Sequence, residues 1–179
     1  MSKKVLVIST SMRKNSNSAA LAEQFGKGAT SAGNQVEEIS LADKRIEFCK
    51  GCLTCQSTQR CVIRDDADLI AQKMLDADVL VFATPIYYYE MSGQMKTMLD
   101  RVNPLYPADY RFRDVYFLAS AAEDDDSAWS RAANGLEGWI ACFGKAKLSG
   151  VVFAGGVAAG GDVQGHSALT KAFDMGTAI

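Results

Sequence analysis

The sequence predicts an α/β fold: a three-layer arrangement with a five-stranded parallel sheet and helices on both faces. Two observations predict it. Short apolar runs alternate with longer helical patterns, strand then helix, five times along the chain. The clearest run, Val79-Leu80-Val81-Phe82-Ala83, is short and continuously apolar, as a buried strand should be.

The elements follow in order. Val5 to Ser9 reads as the first strand and Thr10 to Asn17 as a polar loop. Ser18 to Ser31 is helical, with Ala19, Leu21, Ala22, Phe25 and Ala29 on roughly one face and Gly33-Asn34 as the stop. Gln35 to Leu41 is the second strand, and residues 42–64 form a long cysteine-bearing loop. Asp65 to Asp76 is the second helix, its acids near the N-terminus where the dipole favours them. Val79 to Ala83 is the third strand, ended by Pro85, which opens another loop. Ser92 to Val102 is a helix, Val115 to Ala119 a strand, and Ser127 to Phe143 a helix weakened by Gly135 and Gly138. Lys147 to Ala154 is the fifth strand and Ser167 to Met175 the terminal helix. Right-handed crossovers leave few topologies, and the strand order 2-1-3-4-5 fits these lengths. With no internal repeat, low-complexity tract or linker, residues 1–179 read as one domain.

Composition narrows the function. Of 179 residues, 48% are apolar and 22% charged, the balance of a globular chain. A net charge of −2 provides no field for nucleic acid or an anionic membrane, and both are excluded as expected partners. No apolar run approaches the roughly 18 residues of a membrane span. The start, Met1-Ser2-Lys3-Lys4, leads into only four apolar residues, too few for a signal-peptide core, so a cytoplasmic location is expected. There are five cysteines, four of them between positions 49 and 61. In a reducing compartment these are thiols, metal ligands or redox groups rather than structural disulfides.

The loop from Ser9 to Ser18 joins the first strand to the first helix, at the carboxyl ends of the strands where open α/β sheets bind ligands. Backbone N–H groups at the helix start carry partial positive charge and suit a phosphate. Hydroxyls at Ser9, Ser11, Ser16 and Ser18, the amide of Asn17 and the guanidinium of Arg13 supply further donors. Neither a Gly-x-Gly-x-x-Gly fingerprint nor a Walker lysine is present, which favours a monophosphate. The bland alternative is a solvated loop with Ser16 or Ser18 as an N-cap.

The loop from Thr84 to Gln94 follows the third strand, which neighbours the first in the proposed order. Pro85, Ile86, Tyr87, Tyr88 and Tyr89 then flank the same crevice, and aromatic side chains there can pack against a flat ring. The alternative is a subunit contact made by the tyrosines.

Together the two loops resemble the NAD(P)H-dependent FMN reductase group of the flavodoxin-like superfamily. Ser11, Arg13, Ser16 and Ser18 match that group's Gly-Ser-x-Arg-x-x-Ser-x-Thr loop, with Thr10 in place of glycine and Ser18 in place of threonine. Pro85, Ile86, Tyr87 and Tyr88 match its Ser-Pro-x-Tyr segment, and Ser92 to Lys96 with Leu99-Asp100-Arg101 match its following helix. A third flavin loop then falls at Ser120, Ala121 and Glu123. The resemblance implies bound FMN, NADPH or NADH as co-substrate, hydride transfer to the flavin, a small acceptor such as free flavin or a quinone, and a homodimer.

The spacing Cys49-x2-Cys52-x2-Cys55-x5-Cys61 is similar to ferredoxin-type ligation. It also resembles the compact motif of the iron–sulfur flavoproteins, which implies a [4Fe-4S] cluster beside FMN, with ferredoxin as a partner. Unligated thiols are the competing reading, and zinc a weaker one. Outside these loops, His166 reads as a surface residue and Cys142 as core. Glu123 to Asp126 reads as a solvated loop leading into a helix, and Trp129 and Trp139 as core or interface.

Overall fold

The computed structural model describes residues 2–179; Met1, part of the leader reading above, lies outside them. Among the described residues, six strands form the sheet: β1 (Lys4–Ser9), β2 (Gln35–Ser40), β3 (Val79–Tyr87), β4 (Glu90–Met91), β5 (Asp114–Ser120) and β6 (Lys147–Ala154). The five longer strands are parallel in the order β2-β1-β3-β5-β6, which is the expected 2-1-3-4-5 arrangement. The described residues form six α-helices: α1 (Asn17–Ser31), α2 (Thr54–Thr58), α3 (Asp66–Asp76), α4 (Gly93–Arg101) and α5 (Ser127–Ala141) between strands, and α6 (Ser167–Thr177) after the last.

Side chains alternate across a strand, so each central strand feeds two cores. Leu6, Ile8, Leu80 and Phe82 point to the face covered by Ile70 and Met74 of α3, Met95 of α4 and Leu136 of α5. Val5, Val7, Val79 and Val81 point to the other face, covered by Leu21 and Phe25 of α1 and Ala168 and Ala172 of α6. Helices α1 and α6 approach at glycine. A Cβ on Gly28 would strike the Phe173 carbonyl oxygen, and one on Gly176 would strike that of Phe25.

Three local expectations are corrected. Pro85 does not end the third strand, because β3 continues to Tyr87 and turns back as β4. Its pairing with β1 stops at Ser9↔Ala83, so beyond that point proline's missing N–H removes no ladder bond on that side. The cysteine-bearing segment is not all loop, since it carries the short α2 between left-handed residues Leu53 (φ 57°) and Gln59 (φ 54°). Cys142 is exposed rather than core, because α5 ends at Ala141 and releases it from the packed face. Trp139, by contrast, packs edge-on against Phe82 and stacks near Phe112, with centroids 5.8 and 6.1 Å away.

The long segment between β2 and α3 is pinned by buried charge. Arg101, wholly buried at the end of α4, forms a two-pronged pair with Asp65, Nη1 and Nη2 each 2.8 Å from a carboxylate oxygen. Asp65 is also the N-cap of α3, accepting from Ala67 N–H. Asp68, likewise buried, takes Arg60 and Arg64. At the other end of α3, Asp78 accepts from Lys4 N–H and Arg111.

Two predictions follow from this packing. Gly176→Ala overpacks the α1–α6 contact and lowers unfolding stability by roughly 1–3 kcal/mol, read from denaturant midpoints. At Asp65, Asp68 and Asp78, burial pushes the carboxyl pKa up, but the arginine and N–H partners outweigh it and leave each below the ordinary range. A depressed folded-state value adds stability that is present above the unfolded pKa of about 4 and lost as pH falls through the folded value. Urea midpoints are therefore expected to fall steeply below about pH 4. Asp65→Asn should flatten that acid limb, and an unchanged limb would remove Asp65 from the account.

Candidate functional site

The crevice lies at the carboxyl ends of β1, β3 and β5, between loops that the sheet order brings side by side. Thr10, fully buried, fastens the first two. Its N–H donates to the Ala83 carbonyl at 2.9 Å, and its hydroxyl lies 2.9 Å from that of Ser92. Ser92 is the N-cap of α4, accepting from Met95 N–H, and its own N–H donates to Thr84 Oγ1 at 3.0 Å.

The first loop is built around hydroxyls and free N–H groups. Ser9 ends β1, and its buried Oγ has no hydrogen-bond partner among the described residues. Ser16 is the N-cap of α1, accepting from Ala19 N–H at 3.1 Å, and its Oγ lies 3.1 Å from that of Ser18. Ser11 accepts from Arg13 N–H. The backbone N–H groups of Met12, Lys14, Asn15 and Ser16 find no protein acceptor among the described residues. Buried polar groups normally find partners, so an orphan hydroxyl beside a helix N-terminus and several open N–H groups has the chemistry of an anion cradle.

Arg13 and Asn17 face a wall that the sequence did not reveal. Arg13 Nη1 donates to the Ala158 carbonyl at 2.8 Å. Asn17 is buried and spends its whole amide on the same segment. Nδ2 donates to the Val157 and Ala159 carbonyls, and Oδ1 accepts from Gly161 and Val163 N–H. Residues 155–163 thus form a fourth side of the crevice, also joined to the third loop through Val157 N–H to the Ala121 carbonyl. The glycine-rich composition was the visible signal, since a Cβ on Gly160 would approach the Asn15 carbonyl at 2.8 Å. His166 accepts from Ala168 N–H at 3.0 Å and caps α6.

The second loop is a tight hairpin. Tyr88 (φ 51°) and Tyr89 (φ 65°) occupy its two central positions in the left-handed region. That is the backbone of a type I′ turn, where glycine or asparagine is usual and tyrosine is strained. Such strain persists where the position of the side chain matters. Tyr88 is fully exposed, Tyr87 and Tyr89 partly so, and the Arg131 guanidinium sits 5.2 Å over the Tyr89 ring. Ile86 pairs with Met91 in the hairpin, and Pro85, just before it, is level with Ser120 of β5. Ser120 and Ala121 are buried, and Glu123 is exposed with its carbonyl accepting from Gly156 N–H. The acidic run after it opens α5, with Asp125 accepting from Ser127 N–H.

The cysteines lie elsewhere. Cys49, Cys52, Cys55, Cys61 and Cys142 line a cavity of about 710 Å³ beside the ends of α4 and α5, with no residue from the three crevice loops. Cys55 is buried and accepts from Asn103 Nδ2 at 3.2 Å, Cys61 is half-buried, and Cys49 and Cys52 are exposed. Backbone and hydroxyl hydrogen bonds from Thr54 hold the Cys52 thiol below its ordinary pKa. The thiols supply the donor chemistry for a soft metal. Among the described residues, however, no three metal-ligating side chains are gathered closely enough to hold an ion. No described helix is long and apolar enough to cross a membrane.

The chain is similar to several known proteins. An iron-sulfur flavoprotein of Archaeoglobus fulgidus is 35% identical over 101 residues, 56% of this chain and 46% of that protein. The iron-sulfur flavoprotein MJ1083 of Methanocaldococcus jannaschii is 38% identical over 102 residues, 57% and 53% of the two chains. The chain thus spans about half the length of these curated relatives. An NAD(P)H:quinone oxidoreductase from Methanothermobacter marburgensis has the same fold, with a TM-score of 0.72 at 18% identity over 99% of this chain and 96% of that one. The family model for NADPH-dependent FMN reductase matches residues 3–178, nearly the whole chain, and the protein belongs to that family.

Proposed function

We propose that the crevice binds FMN and that the protein takes hydride from NADPH or NADH and reduces a small acceptor such as free flavin or a quinone. The observation that carries this reading is the orphan hydroxyl of Ser9 at the end of β1. It ends the strand whose following loop carries Ser11, the paired hydroxyls of Ser16 and Ser18, and open N–H groups, at the sheet end where the fold's ligands bind. These groups would hold the phosphate, and Arg13 would set the loop beside it through its bond to Ala158. Pro85, Ile86 and the Tyr87–Tyr89 turn would flank the ring on one side, and Ser120, Ala121 and Glu123 on the other.

Bound FMN supplies the hydride acceptance and the onward electron transfer. The chain's own residues bind, orient and shield. No side chain is required as a nucleophile, and the buried β1–β3–β5 ends exclude water from the inner face of the crevice. Tyr88, held outward by a strained turn, stands at the open side, where a second substrate or a second subunit would arrive. A homodimer with the tyrosine turns at its contact is part of this reading.

Ser9→Ala tests the phosphate assignment. A hydroxyl with no partner adds little to stability, so the melting temperature should hold. FMN affinity, by fluorescence-quenching titration, should fall about 10- to 100-fold, the range for a lost hydrogen bond to a charged group. Unchanged affinity would move the phosphate elsewhere.

A second reading has a specific observation behind it: four thiols on one loop face one cavity, and two relatives carry the name iron-sulfur flavoprotein. A [4Fe-4S] cluster held by Cys49, Cys52, Cys55 and Cys61 would make the protein an electron carrier serving a protein partner such as ferredoxin. Uptake would require the exposed pair to close on Cys55 and Cys61. Iron and sulfide analysis of anaerobically reconstituted protein decides it. Four irons per chain, abolished by Cys55→Ala, would support the cluster. Protein free of iron leaves the thiols unligated.

A further inference from the structure

We propose that Arg101 is the positioning residue of the cysteine loop, a buried clasp that closes the two stems of residues 47–63 and anchors Cys55 and Cys61 before any metal is bound. The clasp is made by this side chain's own contacts, independently of FMN in the crevice, and is the same for ligated and unligated thiols.

The guanidinium reaches both stems at once. Nη1 donates to the Glu47 carbonyl on the outgoing stem at 2.5 Å, and Nη2 donates to the Ile63 carbonyl on the returning stem at 3.2 Å. The same two nitrogens hold both oxygens of Asp65, which in turn accepts from Glu47 N–H at 2.9 Å. One planar fork therefore fixes the separation and register of the loop's ends, a task that a lysine's single ammonium cannot copy. Burial works against its charge, but Asp65 first and then the Cys61 thiol outweigh that and raise its pKa. Its Nε has no hydrogen-bond partner among the described residues, and the residue is among those lining the cavity beside the thiols.

The loop itself shows that something holds it. Gly51 (φ 64°), Leu53 (φ 57°) and Gln59 (φ 54°) all take left-handed backbone within it, and for the two non-glycine residues such geometry persists only when surrounding contacts impose it. Those contacts sit at the stems and beneath Cys55. Besides Arg101, Arg60 ties the returning stem to Asp68, and Asn103, just beyond α4, donates to the Cys55 sulfur. Cys55 is thereby held directly and Cys61 through its neighbour Arg60, while Cys49 and Cys52 are exposed. A thiol site with two fixed members needs only the other two to close on a metal, so the cost of ordering the loop is already met by the fold.

Alkylation of the reduced, metal-free protein by iodoacetamide, followed at each cysteine by peptide mass spectrometry, tests the clasp. In the wild type, buried Cys55 and half-buried, tethered Cys61 should react about tenfold or more slowly than exposed Cys49 and Cys52. Arg101→Met alone would strand a buried carboxylate, so it is combined with Asp65→Asn, which keeps a capping acceptor on α3. In that variant the two rates should converge and trypsin should cut within the loop, while a cooperative melt shows that the fold remains. Arg101→Lys, which keeps the charge and loses the fork, should give intermediate rates. A folded double variant with Cys55 and Cys61 still slow would overturn the proposal, as would equal rates at all four thiols in the wild type. Were the double variant unfolded, the lysine variant decides: wild-type rates there contradict the clasp, and faster ones support it.

Discussion

The site depends on Thr10. It is the first residue past β1, at the point where the chain order of strands reverses, and it is completely buried between the ends of β1 and β3. Its N–H and hydroxyl reach across to Ala83 and Ser92, so the first and second loops are joined at their base rather than merely adjacent. A parallel sheet places strand ends together, but it leaves the loops above them free to diverge. Here a side chain too small to fill the crevice and polar enough to bridge it fixes their separation. A glycine at this position would supply the N–H bond but not the bridge to Ser92.

Helix α4 extends that constraint through the molecule. Its first turn is capped by Ser92 at the crevice, and its last residue, Arg101, grips the stems of the cysteine loop. Nine residues of helix at 1.5 Å each amount to about 13 Å of rigid rod between the two features. The crevice and the thiol cavity are thus separate in one chain but mechanically tied. The wall formed by residues 155–163 is set in the same way, by a buried side chain that turns the start of a helix into a socket. Asn17 at the head of α1 satisfies two carbonyls and two N–H groups of that wall. In each case an irregular segment borrows its shape from a helix terminus.

How much of this was legible in the sequence varied with how local the cause was. The strand order was readable because right-handed crossovers leave few topologies, and the helices on both faces because continuous apolar runs at Val5–Ile8 and Val79–Ala83 report burial on two faces directly. The paired loops were readable because Ser11, Arg13 and Ser16, and Pro85 through Tyr88, stand next to each other in the chain. What escaped was set by contacts distant in sequence. Asn17 counted as one more polar residue of the first loop, although its partners lie 140 to 146 positions away, beyond β6. Pro85 was read as a terminator, yet β3 runs on past it because β1 had already ended beside it. Cys142 followed the apolar face of α5 on paper, but the helix stops just before it. The tie from Arg101 to Asp65 spans 36 positions and carries no local pattern.

The central claim is that the crevice holds FMN and accepts electrons from a reduced nicotinamide. The most direct measurement is a visible absorption spectrum of the protein purified without oxygen and supplied with FMN, recorded before and after addition of NADPH or NADH. Two flavin bands that co-purify on gel filtration and bleach on adding the nicotinamide are the predicted result. Protein that emerges colourless after incubation with FMN, or a bound flavin that neither nicotinamide bleaches, would contradict it.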